Sequence, residues 1–149
     1  MIKRKFSKTL YDEYDEKAKT ILMSHLESKG HTIRQSKEDY NVDIVSEKDG
    51  YTYFNEAEVK VSWKEDWPSD WAEIRIPERK KRLVAKYKDE KGVLNFYIFR
   101  KDMKQVFRIK DTCLTEDRLK PAFGRNISPG EKFFHIPYGD ADLIEVGNL

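Results

Sequence analysis

Alternating apolar and polar positions mark the centre of the chain as a β-strand. Residues 51–62 alternate strictly from Phe54 onward, with small apolar side chains at every second position. Successive side chains of a strand point to opposite faces of a sheet, so the small apolar ones are predicted to lie on a covered face. The opposite face has two carboxylates and an ammonium in a row: Glu56, Glu58 and Lys60.

A second strand is predicted just before this one, over residues 42–47, with Asp43 near its start. A tight turn at residues 48–50 joins the two strands, since its last residue is a glycine that can adopt positive φ. Strand positions two apart lie about 6.5–7 Å apart on one face. Glu58 and Lys60 are therefore expected to reach one point in front of the sheet, and the hairpin is expected to bring Asp43 beside them.

The rest of the hydrophobic pattern alternates between helices and strands. Helical spacing predicts an amphipathic helix over residues 7–29, and a strand is predicted over residues 31–36. A second helix is predicted from Pro77 to about residue 90, because proline suits the first helical position. The later elements are strands over residues 93–100 and 105–110, a short helix over residues 115–123, and a final strand or packed tail. This order predicts an α/β (α+β) fold.

The composition is that of one globular domain. A chain of 149 residues is long enough to bury about 70% of its unfolded surface. Cys113 is the only cysteine, which excludes an internal disulfide and a cysteine-based zinc cluster. No apolar run approaches the roughly 18 residues of a membrane span, and the first residues lack the apolar core of a signal peptide. We therefore expect an intracellular, cytoplasmic protein that is neither secreted nor bound in a membrane.

Positive charge is concentrated in one segment. The chain has a net charge of only +2, but residues 75–91 contain eight basic and three acidic side chains, a net of +5 against −3 elsewhere. A basic helix is the expected footprint of binding to a phosphate backbone, although solvated lysine-rich helix faces are also common. The candidate phosphate contacts are Arg75, Arg79, Lys80, Arg82 and Lys86.

Three tryptophans fall within residues 63–71, directly after the charged strand. The composition of this segment predicts a loop. Its indole rings either stack on nucleic-acid bases or cap the end of the sheet as a small apolar cluster.

Asp15 lies inside the apolar stripe of the first predicted helix, about 60° from Ala18 on a helical wheel. A carboxylate on a buried face is costly unless it reaches a cation or a polar site. Asp15 therefore either points at such a site or lies at the edge of the stripe and reaches solvent.

Asp43 and Glu58 form a candidate metal site. Two carboxylates from adjacent strands suit Mg²⁺, which usually binds through one or two carboxylates and keeps several waters. A lysine such as Lys60 can hold or deprotonate a metal-bound water, or neutralise charge that develops on a phosphate. The sequence does not favour other kinds of catalytic site. The histidines lack metal-ligand spacing, and the chain has neither a GxSxG elbow nor a Gly-rich phosphate loop.

Asp43, followed after fourteen residues by Glu58-Val59-Lys60, resembles the PD-(D/E)XK nuclease superfamily. This is the restriction-endonuclease-like fold, which includes the Holliday-junction resolvases. The predicted order of helix, strand, strand, strand, helix and strand matches the core of that fold. The resemblance covers roughly residues 11–109 of a single domain spanning residues 1–149, with residues 110–149 as a C-terminal extension.

The resemblance implies a Mg²⁺-dependent endonuclease that hydrolyses DNA phosphodiester bonds and leaves a 5′-phosphate and a 3′-hydroxyl. Asp43 and Glu58 are implied to hold Mg²⁺, or Mn²⁺ in its place, with help from the backbone carbonyl of Val59. Lys60 is implied to position or activate the attacking water. Asp15 is implied as an accessory acid, as in several families that have an acid on the first helix. Because many members cut two strands as dimers, the resemblance also allows a homodimer.

Two questions stay open at the level of sequence. A bulge in the strand would make Glu56 rather than Glu58 the neighbour of Asp43, and Glu56 is a possible accessory acid; Glu58 is favoured because a lysine follows it two residues later. The alternatives to a nuclease are a non-catalytic nucleic-acid-binding protein of the same fold and a non-enzymatic interaction protein whose acidic strand face is solvated.

Overall fold

The computed structural model describes residues 8–34, 42–60, 73–86, 92–100, 102–121 and 130–146. Its helices are α1 (Lys8–Ser28) and α2 (Lys81–Lys86). Its strands are β1 (Thr32–Arg34), β2 (Ile44–Lys48), β3 (Tyr51–Lys60), β4 (Glu73–Pro77), β5 (Gly92–Arg100), β6 (Gln105–Lys110), β7 (Leu119–Pro121), β8 (Lys132–Pro137) and β9 (Asp142–Glu145). No helix in these ranges combines the length and the apolar character that crossing a bilayer requires.

Six of the strands form a main sheet in the order β1-β2-β3-β5-β6-β9. β3 and β5 run parallel, and every other neighbouring pair is antiparallel. Parallel neighbours need a crossover connection, and β4 and α2 lie in the chain between β3 and β5. The protein is thus an α+β protein with a mixed central sheet, and the two predicted hairpins, β2–β3 and β5–β6, are confirmed.

The turn between β2 and β3 contains two residues. Lys48 pairs with Tyr51, and between them Asp49 and Gly50 both have positive φ, 53° and 84°. Two residues with positive φ define the type I′ turn, whose twist matches that of the flanking strands. The turn fixes the register of the hairpin, which places Ile44 opposite Asn55.

A second, three-stranded sheet has the order β4-β8-β7, and the sequence analysis did not predict it. Pro77 ends β4 rather than beginning a helix, because Ile74 and Ile76 alternate into the core as strand residues. The helix predicted from Pro77 accordingly begins later, at Lys81, after a 3-10 turn, Glu78–Lys80. Residues 87–90 of that prediction lie outside the described residues.

The short helix predicted over residues 115–123 is also wrong. A 3-10 turn, Glu116–Arg118, leads directly into β7, where Leu119 pairs with Phe134 of β8. The C-terminal part of the chain thus supplies strands to both sheets, since β8 pairs with β4 and β9 pairs with β6.

Two apolar clusters cover the two faces of the main sheet. On one face, α1 packs against β2, β5 and β6, and Ala57 and Val59 of β3 lie against the same cluster, as the alternation predicted. On the other face, the second sheet and Leu83 of α2 pack against the main sheet. The face of β3 that bears Glu56 is therefore covered as well, and Glu56 is only 8% exposed.

Candidate active site

Asp43 and Glu56 lie side by side where β2 ends. Asp43 immediately precedes β2, and the register that pairs Ile44 with Asn55 leads to Glu56 as its cross-strand neighbour. The Ala57 amide donates to Oδ2 of Asp43 over 2.8 Å. The Asp43 side chain thus takes the place of a backbone carbonyl as the acceptor for the Ala57 amide, just beyond the last paired residues of β2 and β3. This hydrogen bond holds the Asp43 carboxyl beside Glu56.

Burial and the neighbouring Asp43 carboxyl shift the pKa of Glu56. Burial raises the pKa of Glu56 to about 8, and the hydrogen bond and negative charge of Asp43 act in the same direction. The nearby ammonium of Lys80 lowers the pKa and offsets only part of this effect. Glu56 therefore keeps its proton at neutral pH, where an ordinary glutamate would have lost it.

Two lysines from different elements reach this pair. Lys80, in the 3-10 turn before α2, has its Nζ 3.3 Å from Oε1 of Glu56. Lys19 of α1 has its Nζ 3.5 Å from Oδ1 of Asp43. Each carboxyl thus has a cation within ion-pair distance, and the two cations come from opposite sides of the main sheet.

Asp15 belongs to this network through Lys19. Its Oδ2 lies 3.2 Å from Nζ of Lys19, and its side chain is 46% exposed. Burial lowers the pKa of Lys19, but Asp43 and Asp15 together outweigh burial and raise that pKa above its ordinary value. Asp15 therefore lies at the edge of the α1 stripe and bonds to the lysine that contacts Asp43.

The other predicted members of the site follow along β3. Glu58 lies two residues beyond Glu56, hence on the same strand face, and is partly buried. Val59 packs against the α1 cluster and pairs with Phe99 of β5. Lys60 is the last residue of β3, and its side chain lies outside the described residues, as does the tryptophan-rich segment 63–71.

The neighbour of Asp43 is thus Glu56, whereas the sequence analysis favoured Glu58. The difference comes from the turn, because a two-residue turn between Lys48 and Tyr51 sets Asp43 opposite Glu56 without any bulge. The sequence analysis also missed Lys19. The sequence feature that could have identified Lys19 is its spacing of four residues from Asp15, because residues four apart on a helix are surface neighbours.

The predicted phosphate contacts differ in their exposure and in their neighbours. Arg79, Arg82 and Lys86 are exposed, in the 3-10 turn and on α2. Arg75 lies on β4 opposite His135. Lys80 is turned toward Glu56, and its neighbour Lys81 is exposed and paired with Glu116.

The donor set of the acidic pair fits Mg²⁺. Within the described ranges, no three histidine, cysteine or acidic side chains are grouped to hold a metal ion. Mg²⁺, however, needs only one or two carboxylates and completes its octahedron with water. Asp43 and Glu56 would offer two hard oxygen ligands, and a divalent cation would offset the burial and the repulsion by Asp43 that raise the pKa of Glu56.

Comparison of the chain with models of known protein families gives no match, and neither does comparison with curated proteins.

Proposed function

We propose that this protein is a Mg²⁺-dependent nuclease that hydrolyses DNA phosphodiester bonds. The observation that supports this proposal most is the meeting of Asp43 and Glu56 beside β3, with Lys80 against one carboxyl and Lys19 against the other. Crowding two acids in a poorly solvated place is costly for a protein that only folds. A bound cation would offset that cost, and carboxyl groups with strongly shifted pKa values are typical of functional sites.

The arrangement of elements also supports the proposal. A helix and three antiparallel strands lead to a crossover with a short helix, and the strand that follows lies parallel to β3. Apart from β4, which lies in the crossover, this order agrees with the order that the resemblance implies. The exposed basic residues Arg79 and Arg82 lie within two positions of Lys80 along the chain, so a phosphate backbone bound at the acidic pair would meet them.

Each residue has a distinct role in this proposal. Asp43 and Glu56 would hold Mg²⁺, and Glu58 and the backbone carbonyl of Val59, the ligands that the resemblance implies, follow them along β3. The bound ion would supply electrophilic assistance to the phosphate and the attacking water. Lys60 would orient the water. Lys80 would give up part of its contact with Glu56 and balance negative charge on the phosphate.

The experiment is cleavage of end-labelled duplex, single-stranded and branched DNA by the purified chain, with Mg²⁺, Mn²⁺ or EDTA. We expect metal-dependent cutting by the wild type and its loss in Glu58→Ala and Lys60→Ala. Glu47→Ala is the matched control, because Glu47 lies on the same hairpin but pairs with Arg34 at 3.1 Å, away from the acidic pair. DNA binding without cutting by wild type and variants alike would favour the non-catalytic alternative.

A further inference from the structure

A second polar site lies on the face of the main sheet that α1 covers, beyond the end of that helix. A cavity of about 660 Å³ opens there, and its lining includes His25, His31, Tyr53, Asn95, Tyr97 and Arg108. Tyr53 and Glu56 are three positions apart on β3 and therefore point to opposite faces of the sheet. The cavity is thus separate from the acidic pair.

Asn95 lies in the wall of this cavity. It is 5% exposed, and a hydrogen bond to the Tyr97 hydroxyl orients its amide. Its Oδ1 is buried and has no hydrogen-bond partner in the described part of the chain. A buried acceptor left without a donor costs about 1–3 kcal/mol. The cavity is far larger than the roughly 30 Å³ that one water occupies, so it has room for a ligand that brings the donor.

Three cations, Lys29, Lys48 and Arg108, line the cavity together with one carboxylate, Glu145, which accepts from Nε2 of Gln105 over 2.6 Å. Burial, then the charges of Lys29 and Arg108, lower the pKa of His25. Burial, then the charges of Lys48 and His25, lower the pKa of His31, and the charge of Asp49 offsets part of this effect. Both imidazoles are therefore neutral at neutral pH, and the field at each ring favours an anion.

Two of these cations are available to a ligand. Arg108 is engaged by Asp142, whose Oδ2 lies 2.8 Å from its Nη2. Lys29 and Lys48 also line the cavity, and neither has a carboxylate partner among the residues that the structure describes. Ammonium groups without a protein partner are suited to a phosphate or carboxylate group.

Flat rings form a wall of the cavity. His31 and Tyr53 meet edge to face with their centroids 4.5 Å apart, and Nδ1 of His31 is 2.9 Å from the Ser46 hydroxyl, which fixes the ring. Aromatic walls of this kind favour planar ligands, through stacking or edge contacts.

We propose that this cavity binds a small phosphate monoester with a planar ring and an N–H donor, the chemistry of a nucleoside monophosphate. The phosphate would lie between Lys29 and Lys48, the ring against Tyr53, and the N–H group on Oδ1 of Asn95. A volume of about 660 Å³ is within the usual range of small-molecule sites. This site goes beyond the proposed nuclease activity and does not depend on it.

The test is calorimetric titration of the full-length protein in EDTA with the four nucleoside 5′-monophosphates, the matched nucleosides and inorganic phosphate. We expect saturable binding of at least one monophosphate, tighter than its nucleoside or phosphate alone. Lys48→Met should weaken monophosphate binding about tenfold, since it removes a charge-assisted contact, and leave nucleoside binding unchanged. Lys17→Met is the control, because Lys17 is an exposed lysine of α1 that does not line the cavity.

Asn95→Leu should weaken monophosphate and nucleoside binding alike, because it removes the acceptor for the ring. If that variant does not fold, as judged by thermal melting, Lys29→Met and Lys48→Met still decide the question. The proposal is overturned if no monophosphate binds at up to about 10 mM, where binding energy is below roughly 3 kcal/mol. It is equally overturned if phosphate alone binds as tightly, or if Lys48→Met binds like the wild type.

Discussion

The side chain of Asp43 completes the hydrogen-bond ladder of β3 by accepting from the Ala57 amide, and this bond sets it beside Glu56. The pair is therefore built into the sheet rather than displayed on a loop. Residues fixed by backbone hydrogen bonds hold the positions that a metal site needs, whereas loop residues do so less well. The chemistry proposed for this protein depends on that one contact.

The raised pKa of Glu56 makes the stability of the metal-free protein depend on pH. Its folded pKa is about 8 against an ordinary value of 4.5, so the folded state binds the proton more tightly than the unfolded state does. The stability that Glu56 provides is therefore fully present below about pH 4.5 and is lost, by an amount on the order of a few kcal/mol, as pH rises through about 8. Urea unfolding in EDTA across this range measures the slope.

Glu56→Gln should flatten this pH dependence, because glutamine keeps the shape of the side chain and does not titrate. Glu47→Gln, on the same hairpin but paired with Arg34 at the surface, should keep the wild-type slope. Equal slopes in wild type and Glu56→Gln would show that another group is responsible.

Mg²⁺ should stabilise the protein more strongly at pH 8 than at pH 6, because the ion needs Glu56 without its proton. At ten times the dissociation constant, the gain in unfolding free energy is about 1.4 kcal/mol. Thermal melts with and without Mg²⁺ at the two pH values give the comparison. A gain that is the same at both, or that persists in Asp43→Asn, would place the ion elsewhere.

Lys80 and Lys81 are adjacent lysines with different partners, and this difference allows a matched test. Lys80 contacts Glu56, whereas Lys81 is paired with Glu116 at the surface. Lys80→Ala should slow DNA cleavage by about 10- to 100-fold through lost charge balance at the phosphate, and Lys81→Ala should leave it nearly unchanged. Lys80→Ala should also raise the pKa of Glu56 further, which ¹³C NMR of its carboxyl can follow. Equal rates in the two variants would exclude a role for Lys80 in catalysis.

The turn between β5 and β6 depends on Asp102. Its Oδ1 accepts from Nε of Arg100 over 2.9 Å and from the Lys104 amide over 2.9 Å, around Met103, which has φ 64°. Burial raises the pKa of Asp102, but its hydrogen bonds to Arg100 and Lys104 outweigh burial and keep that pKa below its ordinary value. The stability that Asp102 provides is therefore present above its ordinary pKa and lost as the solution is acidified.

Asp102→Asn should lower the free energy of unfolding at pH 7 by about 1–3 kcal/mol. Asp142→Asn is the comparison, because Asp142 pairs with Arg108 at the surface and is 54% exposed, where ion pairs contribute only about 0–1 kcal/mol. Urea unfolding of both variants measures the two losses. A loss at position 102 no larger than that at position 142 would contradict this role.

The hairpin around Gly50 was predictable because its signals are local. Alternation marked the strands, and the Asp49-Gly50 pair marked the turn. The same pair also determines the register: a two-residue turn closed by Lys48 and Tyr51 leads to Asp43 opposite Glu56. The predicted turn contained three residues, 48–50, and a turn of that length does not lead to Asp43 opposite Glu56. The prediction therefore relied on Lys60, two residues after Glu58, and favoured Glu58 as the neighbour of Asp43.

The second sheet was not predictable from local pattern. β7 has three residues and β4 has five, and their strand conformation depends on pairing with β8, which lies far along the chain. The contact of Lys80 with Glu56 was also not predictable from local pattern, and the sequence placed Lys80 with the other candidate phosphate contacts. Its contact with Glu56 exists only because the chain crosses over between β3 and β5.

The most direct measurement is the rate of Mg²⁺-dependent DNA cleavage by wild type, Asp43→Asn and Glu47→Gln under identical conditions. Asparagine keeps an oxygen that can accept from the Ala57 amide, so Asp43→Asn should fold normally while losing the charge that holds Mg²⁺. We expect wild type and Glu47→Gln to cut at equal rates and Asp43→Asn to be slower by roughly 100-fold or more. Cleavage by a folded Asp43→Asn at the wild-type rate would contradict the proposed metal site, and absence of cleavage by the wild type on duplex, single-stranded and branched DNA would contradict the nuclease itself.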